Sequence, residues 1–380
     1  MPIRRIQMPS TKVFVFAPAD QSADSHERLG KAGIELTVGK AGWLSPMGDN
    51  EDEMAGFAAD AAALMGSSIR SSPITRKIME ANPELRIVAK CTVGTDDVDV
   101  DAATALGILV THAPTESNCY GVAEGTVQMI LTMMKKARER DAAVKKGVWR
   151  DEGLMGSYLG RRASDGYPGI TLGILGLGRI GSRVADLFAP WRFRIVACDP
   201  YVEDEKFIRH GCEKVDMDTL FRESDIVTIH CDNNKETRRF IGAKQFGAMK
   251  KTAILVNAAR GQIVDEPELC EALAKGEIGG AAIDAFTDEP LPADSPLRRM
   301  GDKVLLSAHM VSSNAGSGIG PGYRWATQSV LHALQGEVPD NVFNPEVIDR
   351  WRERFGGRKL LQLNEEIGWN HSYGVPPYQR

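Results

Sequence analysis

The sequence lacks the features that mark membrane, secreted and nucleic-acid-binding proteins. No apolar run approaches membrane-spanning length, and residues 1–20 lack the apolar segment of a secretion signal. The net charge is −5, and no run of basic residues offers a surface for nucleic acid. The six cysteines form no C-x-x-C pair, so we expect reduced thiols and no metal site. These absences predict a cytoplasmic protein without a membrane, nucleic-acid or metal partner.

What is present is a long chain of globular composition. Its 380 residues are 43% hydrophobic and 26% charged, which predicts two domains with buried cores. Short apolar runs alternate with helical patterns, and this alternation indicates doubly wound parallel sheets with helices on both faces. The predicted strands cover residues 13–17, 34–38, 61–65, 85–91, 108–111, 172–175, 194–198, 226–231, 253–258, 281–285 and 304–308.

Helices and loops complete the predicted organisation. Residues 120–146 carry apolar side chains at helical spacing, which predicts one long helix leading into the second domain. Residues 41–56 and 153–169 are rich in turn-forming residues and are predicted loops. A helix over residues 323–334 follows the last strand, so it could return to the first domain. Residues 345–380 lack strong periodicity but contain several aromatic residues. Because disordered tails are usually poor in aromatic residues, we expect this segment to pack on folded protein. The aromatic residues of this segment include Trp351, Trp369, Tyr373 and Tyr378.

The most informative stretch covers residues 171–199, where a short apolar strand runs into G-x-G-x-x-G and then a helix. Gly176 permits a tight turn, Gly178 lets a pyrophosphate approach the backbone, and Gly181 lets the helix pack closely on the strand. The start of the helix offers free N–H groups to phosphate. Asp199 ends the next strand and is placed to accept hydrogen bonds from ribose hydroxyls. The ordered set predicts an NAD site, because Asp199 would repel the 2′-phosphate of NADP.

Three further polar residues follow successive strands of the second domain. Arg260 comes after the strand at 253–258, Glu289 after the strand at 281–285, and His309 after the last strand. The carboxyl ends of parallel strands are where open α/β sheets bind ligands. An Arg can hold a carboxylate bidentately, a His can exchange a proton near neutral pH, and an acid can stabilise the imidazolium. The set suits hydride transfer at a carbon that bears oxygen.

With these motifs in place, the chain resembles the D-isomer-specific 2-hydroxyacid dehydrogenase family, which includes phosphoglycerate, glyoxylate/hydroxypyruvate and formate dehydrogenases. The resemblance runs from about residue 13 to residue 344. The segments that carry it are VGTDDVD at 93–99, PTESNCYGVAE at 114–124, GLGRIG at 176–181, NAARG at 257–261, residues 284–290 and SAH at 307–309.

The resemblance implies roles for individual residues. Arg260 would bind the substrate carboxylate, His309 would be the acid/base and Glu289 its partner. Val93 and Gly94 would offer backbone N–H groups to the carboxylate, and Asn118 would line the substrate pocket. The cofactor-binding residues would be Gly176, Gly178, Arg179, Ile180, Gly181, Asp199, Cys231, Thr237, Ala258 and Asp284, with Asp284 on the nicotinamide carboxamide.

The resemblance also implies a fold in which a Rossmann nucleotide domain is inserted in a flavodoxin-like substrate domain. Residues 1–119 and 310–344 would form the substrate domain, residues 120–309 the NAD-binding domain, and residues 345–380 a C-terminal extension. Members of the family usually dimerise through the nucleotide domain, with the helix near residues 120–146 involved. We therefore expect a homodimer that acts on a small 2-hydroxy or 2-keto acid.

Several positions depart from the family pattern. Ser-Ala-His stands where Thr-Pro-His is usual, Cys231-Asp232 replaces the usual proline after its strand, and the loop at 156–169 is longer. These departures leave the substrate open. A formate dehydrogenase is one alternative, although such enzymes carry Gln where this chain has Glu289. A dinucleotide-sensing corepressor is the other, although it would have little need of Arg260, Glu289 and His309.

Overall fold

The structure is a computed structural model that describes residues 11–17, 23–40, 48–67, 72–314 and 320–361. Its strands are β1 Thr11–Ala17, β2 Ile34–Val38, β3 Ala61–Gly66, β4 Ile87–Lys90, β5 Leu109–Thr111, β6 Thr171–Leu175, β7 Arg194–Cys198, β8 Glu213–Lys214, β9 Ile226–Ile229, β10 Ile254–Asn257, β11 Gly280–Ile283 and β12 Val304–Leu306. Each predicted strand occurs, with ends within two residues of those expected. The short, exposed strand β8 was not predicted, because it has no apolar run.

The helices lie between the strands or follow the last of them. They are α1 Ala23–Lys31, α2 Glu51–Ala58, α3 Arg76–Glu80, α4 Val100–Leu106, α5 Glu116–Met134, α6 Ala137–Lys145, α7 Arg179–Phe188, α8 Asp204–Arg209, α9 Met217–Glu223, α10 Ala243–Ala248, α11 Glu266–Lys275, α12 Gly320–Leu334 and α13 Ile348–Phe355. Among the described residues, none of these helices is both long and apolar enough to cross a membrane.

The chain divides into two compact units, and each is built on one parallel sheet. The first unit comprises the chain up to Thr115 together with the part from Ala315, and the second comprises Glu116–Asn314. The first sheet has the order β2-β1-β3-β4-β5, and the second has the order β12-β11-β10-β9-β6-β7-β8. These are the flavodoxin-like and Rossmann strand orders. The predicted fold class is therefore confirmed; the unit boundaries at 115/116 and 314/315 lie a few residues from the expected 119/120 and 309/310.

The predicted loop at 41–56 is wrong over its last residues, because α2 begins at Glu51. Asn50 caps this helix: its Oδ1 accepts the Glu53 N–H at 2.9 Å, and Glu53 Oε2 accepts the Asn50 N–H at 3.2 Å. This reciprocal arrangement is a capping box, which satisfies two N–H groups that the helix start leaves unpaired. The Asn-x-x-Glu pattern at residues 50–53 is the local sequence signal of this helix start.

The single helix predicted over residues 120–146 is also wrong. The structure has α5 and α6, separated at Lys136, whose φ of 53° lies in the left-handed region. Helix α6 buries no residue, so packing does not hold it in line with α5. Its side chains instead donate to carbonyl oxygens of residues that are separated from it in sequence. Arg138 donates to Val304 O at 2.8 Å, and Arg140 donates to Leu154 O at 2.9 Å. These distant contacts leave no periodic signal in the sequence.

The chain returns to the first unit after the last strand, as the position of the predicted helix suggested. Helix α12 places Ala326, Val330 and Leu331 in one apolar core with residues of β1, β3, β4 and β5. A β-carbon at Gly322 would lie 1.9 Å from the carbonyl oxygen of Cys91, so α12 approaches the end of β4 as closely as glycine permits. The unit thus depends on a helix that is distant in sequence.

Part of the C-terminal extension also belongs to the first unit. Trp351 on α13 is fully buried, and its indole N–H donates to Arg86 O at 2.9 Å. Phe355, one turn later, is fully buried in the same core. Residues 345–361 therefore pack on folded protein. The prediction for Trp369, Tyr373 and Tyr378 falls outside the described residues.

Candidate functional site

The glycine turn after β6 has the geometry that its sequence predicts. Gly176 adopts a φ of 92°, and a β-carbon there would lie 2.6 Å from the backbone nitrogen of Cys231. A β-carbon at Gly181 would lie 2.1 Å from Gly176 O, whereas the surroundings of Gly178 are open. Helix α7 begins at Arg179, and Gly178, the residue before it, makes no side-chain capping hydrogen bond. The open space at Gly178 and the start of a helix fit a pyrophosphate.

Asp199, directly after β7, is fixed by two backbone contacts. Its Oδ2 accepts the Leu177 N–H at 2.8 Å, and its Oδ1 accepts the Tyr201 N–H at 3.0 Å. The side chain is partly exposed, and an ionised carboxylate has lone pairs beyond these two. The first contact ties Asp199 to the glycine turn itself. An acid held at this point suits the ribose hydroxyls of a dinucleotide.

The remaining cofactor candidates surround the same edge of the second sheet. Cys231 follows β9, and burial raises the pKa of its thiol to about 12. Thr237 accepts the Asn234 N–H at 2.9 Å and donates to Asp232 O at 2.5 Å, which closes the loop after β9. Ala258 follows β10 and is buried, while Arg179 and Ile180 lie in the first turn of α7. These residues line the carboxyl ends of β6, β9 and β10.

The loop that carries Arg260 is shaped by the residue that ends β10. Asn257 donates its side-chain amide to Arg260 O at 2.9 Å and accepts the Ala259 N–H at 3.1 Å. A β-carbon at Gly261 would lie 1.9 Å from the carbonyl carbon of Phe286, so the two loops are in close backbone contact. Asn257 is not among the predicted site residues, although it stands at the start of the NAARG motif.

Glu289 and His309 meet at the ends of neighbouring strands. His309 Nδ1 lies 3.1 and 3.0 Å from the two carboxylate oxygens of Glu289. The Phe286 N–H donates to Glu289 Oε1 at 2.8 Å, which fixes the carboxylate. The His309 side chain is 40% exposed and that of Glu289 is 15% exposed, so the imidazole faces solvent while its partner is shielded. This arrangement leaves Nε2 of the imidazole as the nitrogen directed away from the carboxylate.

Asp284 organises the backbone around His309. It is almost fully buried, its Oδ1 accepts the N–H groups of Met310 and Val311 at 3.0 and 3.2 Å, and its backbone carbonyl accepts the His309 N–H. His309 itself has a φ of 55°, in the left-handed region. Asp284 thus holds the turn that presents the imidazole.

The substrate-binding candidates are divided between the two units. Val93 and Gly94 belong to the first unit, in the loop after β4, where Thr92 Oγ1 donates to Gly94 O at 3.1 Å. Asn118 belongs to the second unit, in the first turns of α5. In the described part of the chain, no group of three or more His, Cys, Asp or Glu side chains could hold a metal ion.

The fold and the glycine turn define a two-unit α/β protein with a dinucleotide-binding unit. Residues 127–311 match the family model of the D-isomer specific 2-hydroxyacid dehydrogenase NAD binding domain. The chain is 36% identical over 284 residues to a glyoxylate reductase of Korarchaeum cryptofilum, covering 74% of this chain and 82% of that protein. It belongs to the D-isomer specific 2-hydroxyacid dehydrogenase family, and its second unit is the NAD-binding domain.

Two other similarities set the scope of this assignment. The chain is 32% identical over 346 residues to a D-3-phosphoglycerate dehydrogenase of Synechocystis, covering 90% of this chain and 59% of that enzyme. The chain thus spans about three fifths of the length of that relative. A solved structure of a Thermus thermophilus protein superposes with a TM-score of 0.75 at 28% identity, covering 88% of this chain and 100% of the other.

Proposed function

We propose that this protein is an NAD-dependent oxidoreductase that interconverts a small D-2-hydroxy acid and its 2-keto acid. The observation that carries the proposal is the contact of His309 Nδ1 with both oxygens of Glu289, in the same unit as the glycine turn. The family assignment supports the same reaction class.

The cofactor would be held by the residues at the strand ends of the second unit. The first turn of α7, with Arg179 and Ile180, would meet the pyrophosphate, and Asp199 would meet the ribose. Cys231, Thr237 and Ala258 would border the cofactor, and Asp284 would face the nicotinamide carboxamide. When bound, NAD would accept a hydride from the hydroxy acid, and NADH would donate a hydride to the keto acid.

The proton would pass through His309. Because Nδ1 faces Glu289, Nε2 is the nitrogen that would give a proton to the carbonyl oxygen during reduction and take it from the hydroxyl during oxidation. Glu289 would hold the imidazole in orientation and stabilise its protonated form. Arg260 would bind the substrate carboxylate, together with the N–H groups of Val93 and Gly94, and Asn118 would line the pocket.

The paired acid weighs against the two alternatives. A formate dehydrogenase has no hydroxyl proton to move and would not need the His309–Glu289 contact. A dinucleotide sensor would need the glycine turn alone. We also propose that the first unit binds the substrate and the second unit binds the nucleotide.

We further propose a homodimer formed through the second unit. Exposed apolar side chains cluster in sequence at and after α6, and a partner subunit would cover them. They are Val144, Val148, Trp149, Met155 and Tyr158. The cytoplasmic location stays a prediction from the cysteine pattern.

The test is oxidation of NADH by the purified protein with glyoxylate, hydroxypyruvate, pyruvate and phosphohydroxypyruvate. We expect turnover with at least one keto acid and none without a 2-keto group. Formate with NAD, assayed in parallel, tests the formate alternative. NADH binding without turnover on any keto acid would favour the sensor and contradict the proposal.

A further inference from the structure

Two loops of the second unit flank the glycine turn on either side. Strand β6 lies between β7 and β9 in the sheet, so the loops after β7 and β9 border Gly176. We call residues 199–203 and 230–237 the adenosine-side loops, because a dinucleotide on the Gly176 turn would place its adenosine between them.

The loop after β9 is held by its own side chains. Asn234 Oδ1 accepts the N–H groups of Glu236 and Thr237 at 2.8 and 3.1 Å. Thr237 Oγ1 in turn accepts the Asn234 N–H at 2.9 Å. The backbone that carries Glu236 is therefore fixed before any ligand binds.

The loop after β7 is fixed by Asp199, which accepts the N–H groups of Tyr201 and of Leu177 in the glycine turn. A side-chain contact then joins the two loops: the Tyr201 hydroxyl donates to Glu236 Oε2 at 2.5 Å. The Glu236 carboxylate raises the pKa of the Tyr201 phenol, so the phenol remains a donor at neutral pH. Tyr201 is 75% exposed, so packing does not explain its position.

Negative charge concentrates at the same place. Asp199 lies close enough to Tyr201 to contribute to the raised pKa of its phenol, and Asp232 and Asp199 both act on the Cys231 thiol. Glu236 adds a third carboxylate to the adenosine-side loops. Three carboxylates on the adenosine side oppose a 2′-phosphate more strongly than Asp199 alone.

We propose that Tyr201 and Glu236 bridge the adenosine-side loops, hold them at the spacing that bound NAD requires, and add the charge of Glu236 against NADP. The bridge rests on the proposed function, because it presumes a dinucleotide on the Gly176 turn. The two residues make different contributions. Tyr201 makes the bridge and carries no charge, whereas Glu236 supplies both the acceptor and the charge.

Two substitutions in the full-length protein separate these contributions. Tyr201→Phe keeps the ring and removes the hydrogen bond, so NADH and NADPH should each bind about three- to tenfold more weakly. Glu236→Gln keeps a carbonyl acceptor for the phenol and removes the charge. NADH affinity should then stay near the parent value, while NADPH should bind about three- to tenfold more tightly in low salt, with a smaller gain in high salt.

The readout is the equilibrium Kd from nucleotide fluorescence titration, which does not depend on turnover. Tyr167→Phe, at a partly exposed position, and Glu271→Gln, at an exposed one, both lie outside the adenosine-side loops. They are matched controls and should leave both Kd values unchanged. Parental affinities in both test variants, or tighter NADH binding by Tyr201→Phe, would overturn the bridge. Failure of the parent itself to bind NADH would instead overturn the proposed function.

Discussion

In the first unit the charged residue at the end of β4, Lys90, is fully buried, whereas in the second unit His309, beyond the end of β12, faces solvent. Lys90 Nζ donates to both carboxylate oxygens of Asp97 at 2.7 and 2.6 Å and to Ser67 O at 2.8 Å. It also lies 5.4 Å from the centre of the Phe16 ring. Within the described residues, His309 has one carboxylate partner, Glu289, on its Nδ1.

The difference shows how one architecture uses polar groups for two purposes. A buried charge is tolerated only when its partners satisfy it, and such a pair then holds structure together. A partly exposed imidazole with one side occupied has the other available to a reacting molecule. The Lys90–Asp97 pair therefore stabilises the structure of the first unit. We propose that the His309–Glu289 pair takes part in the reaction of the second unit.

The strongest test of this contrast is His309→Ala. We expect kcat for keto-acid reduction to fall by about 10²–10⁴-fold, the usual contribution of a general acid, with NADH affinity nearly unchanged. The matched control in the first unit is His332→Ala, since His332 Nδ1 also contacts a carboxylate, Glu337, at 3.2 Å. Its kcat should equal the parent value. Near-normal turnover by His309→Ala would show that His309 is not the general acid.

Asp97→Asn should break the pair in the first unit and leave Lys90 buried without its counter-charge. We expect the free energy of unfolding to fall by about 3–5 kcal/mol, as measured by denaturant titration. The control is Asp52→Asn, which breaks the exposed Lys77–Asp52 pair and should change stability little. Equally small losses of unfolding free energy in both variants would show that the buried Lys90–Asp97 pair stabilises the protein no more than an exposed pair does.

The preference for NAD over NADP tests the role of the Asp199 carboxylate in the second unit. Like charges about 4 Å apart repel by about 4 kcal/mol at an effective dielectric of 20, an upper bound for Asp199 against a 2′-phosphate. We expect kcat/KM to favour NAD over NADP, and Asp199→Asn to narrow that preference. Equal kcat/KM values for the two cofactors in the parent would contradict the role of Asp199.

The smallest effect concerns His230, at the end of β9. Burial lowers its pKa from 6.5 to about 3, so the imidazole stays neutral in the folded protein. The unfolded chain takes up a proton below pH 6.5, and stability is therefore lost as the pH falls, by about 1.4 kcal/mol per unit. Between pH 7.5 and pH 5 the parent should lose about 2 kcal/mol more than His230→Gln. Parallel losses would show that His230 does not titrate this way.

The parts that the sequence predicted are those with a local signal. Apolar runs located the strands, and the glycines with Asp199 located the turn beside β6, because each pattern has one physical cause. The contact of His309 with Glu289 was reachable from the sequence as well, since successive parallel strands end at one edge of a sheet.

The parts that were missed depend on contacts between distant segments. Beyond the break at Lys136, side chains of α6 contact carbonyl oxygens that lie 14 and 166 residues further along the chain. Lys90 in an apolar strand gives no sign of its partner, and nothing in the sequence pairs Tyr201 with Glu236. The capping box at Asn50 is different, because its signal was local and could have been used.

Stereospecific hydride transfer on 2-hydroxy acids can be measured by supplying NAD with the two enantiomers of one hydroxy acid. The acid is chosen as the reduced form of the best keto acid, and NADH formation is followed. We expect NADH from the D enantiomer only, with the signal lost in His309→Ala. NADH from the L enantiomer at an equal rate, or from neither enantiomer of any acid, would contradict it.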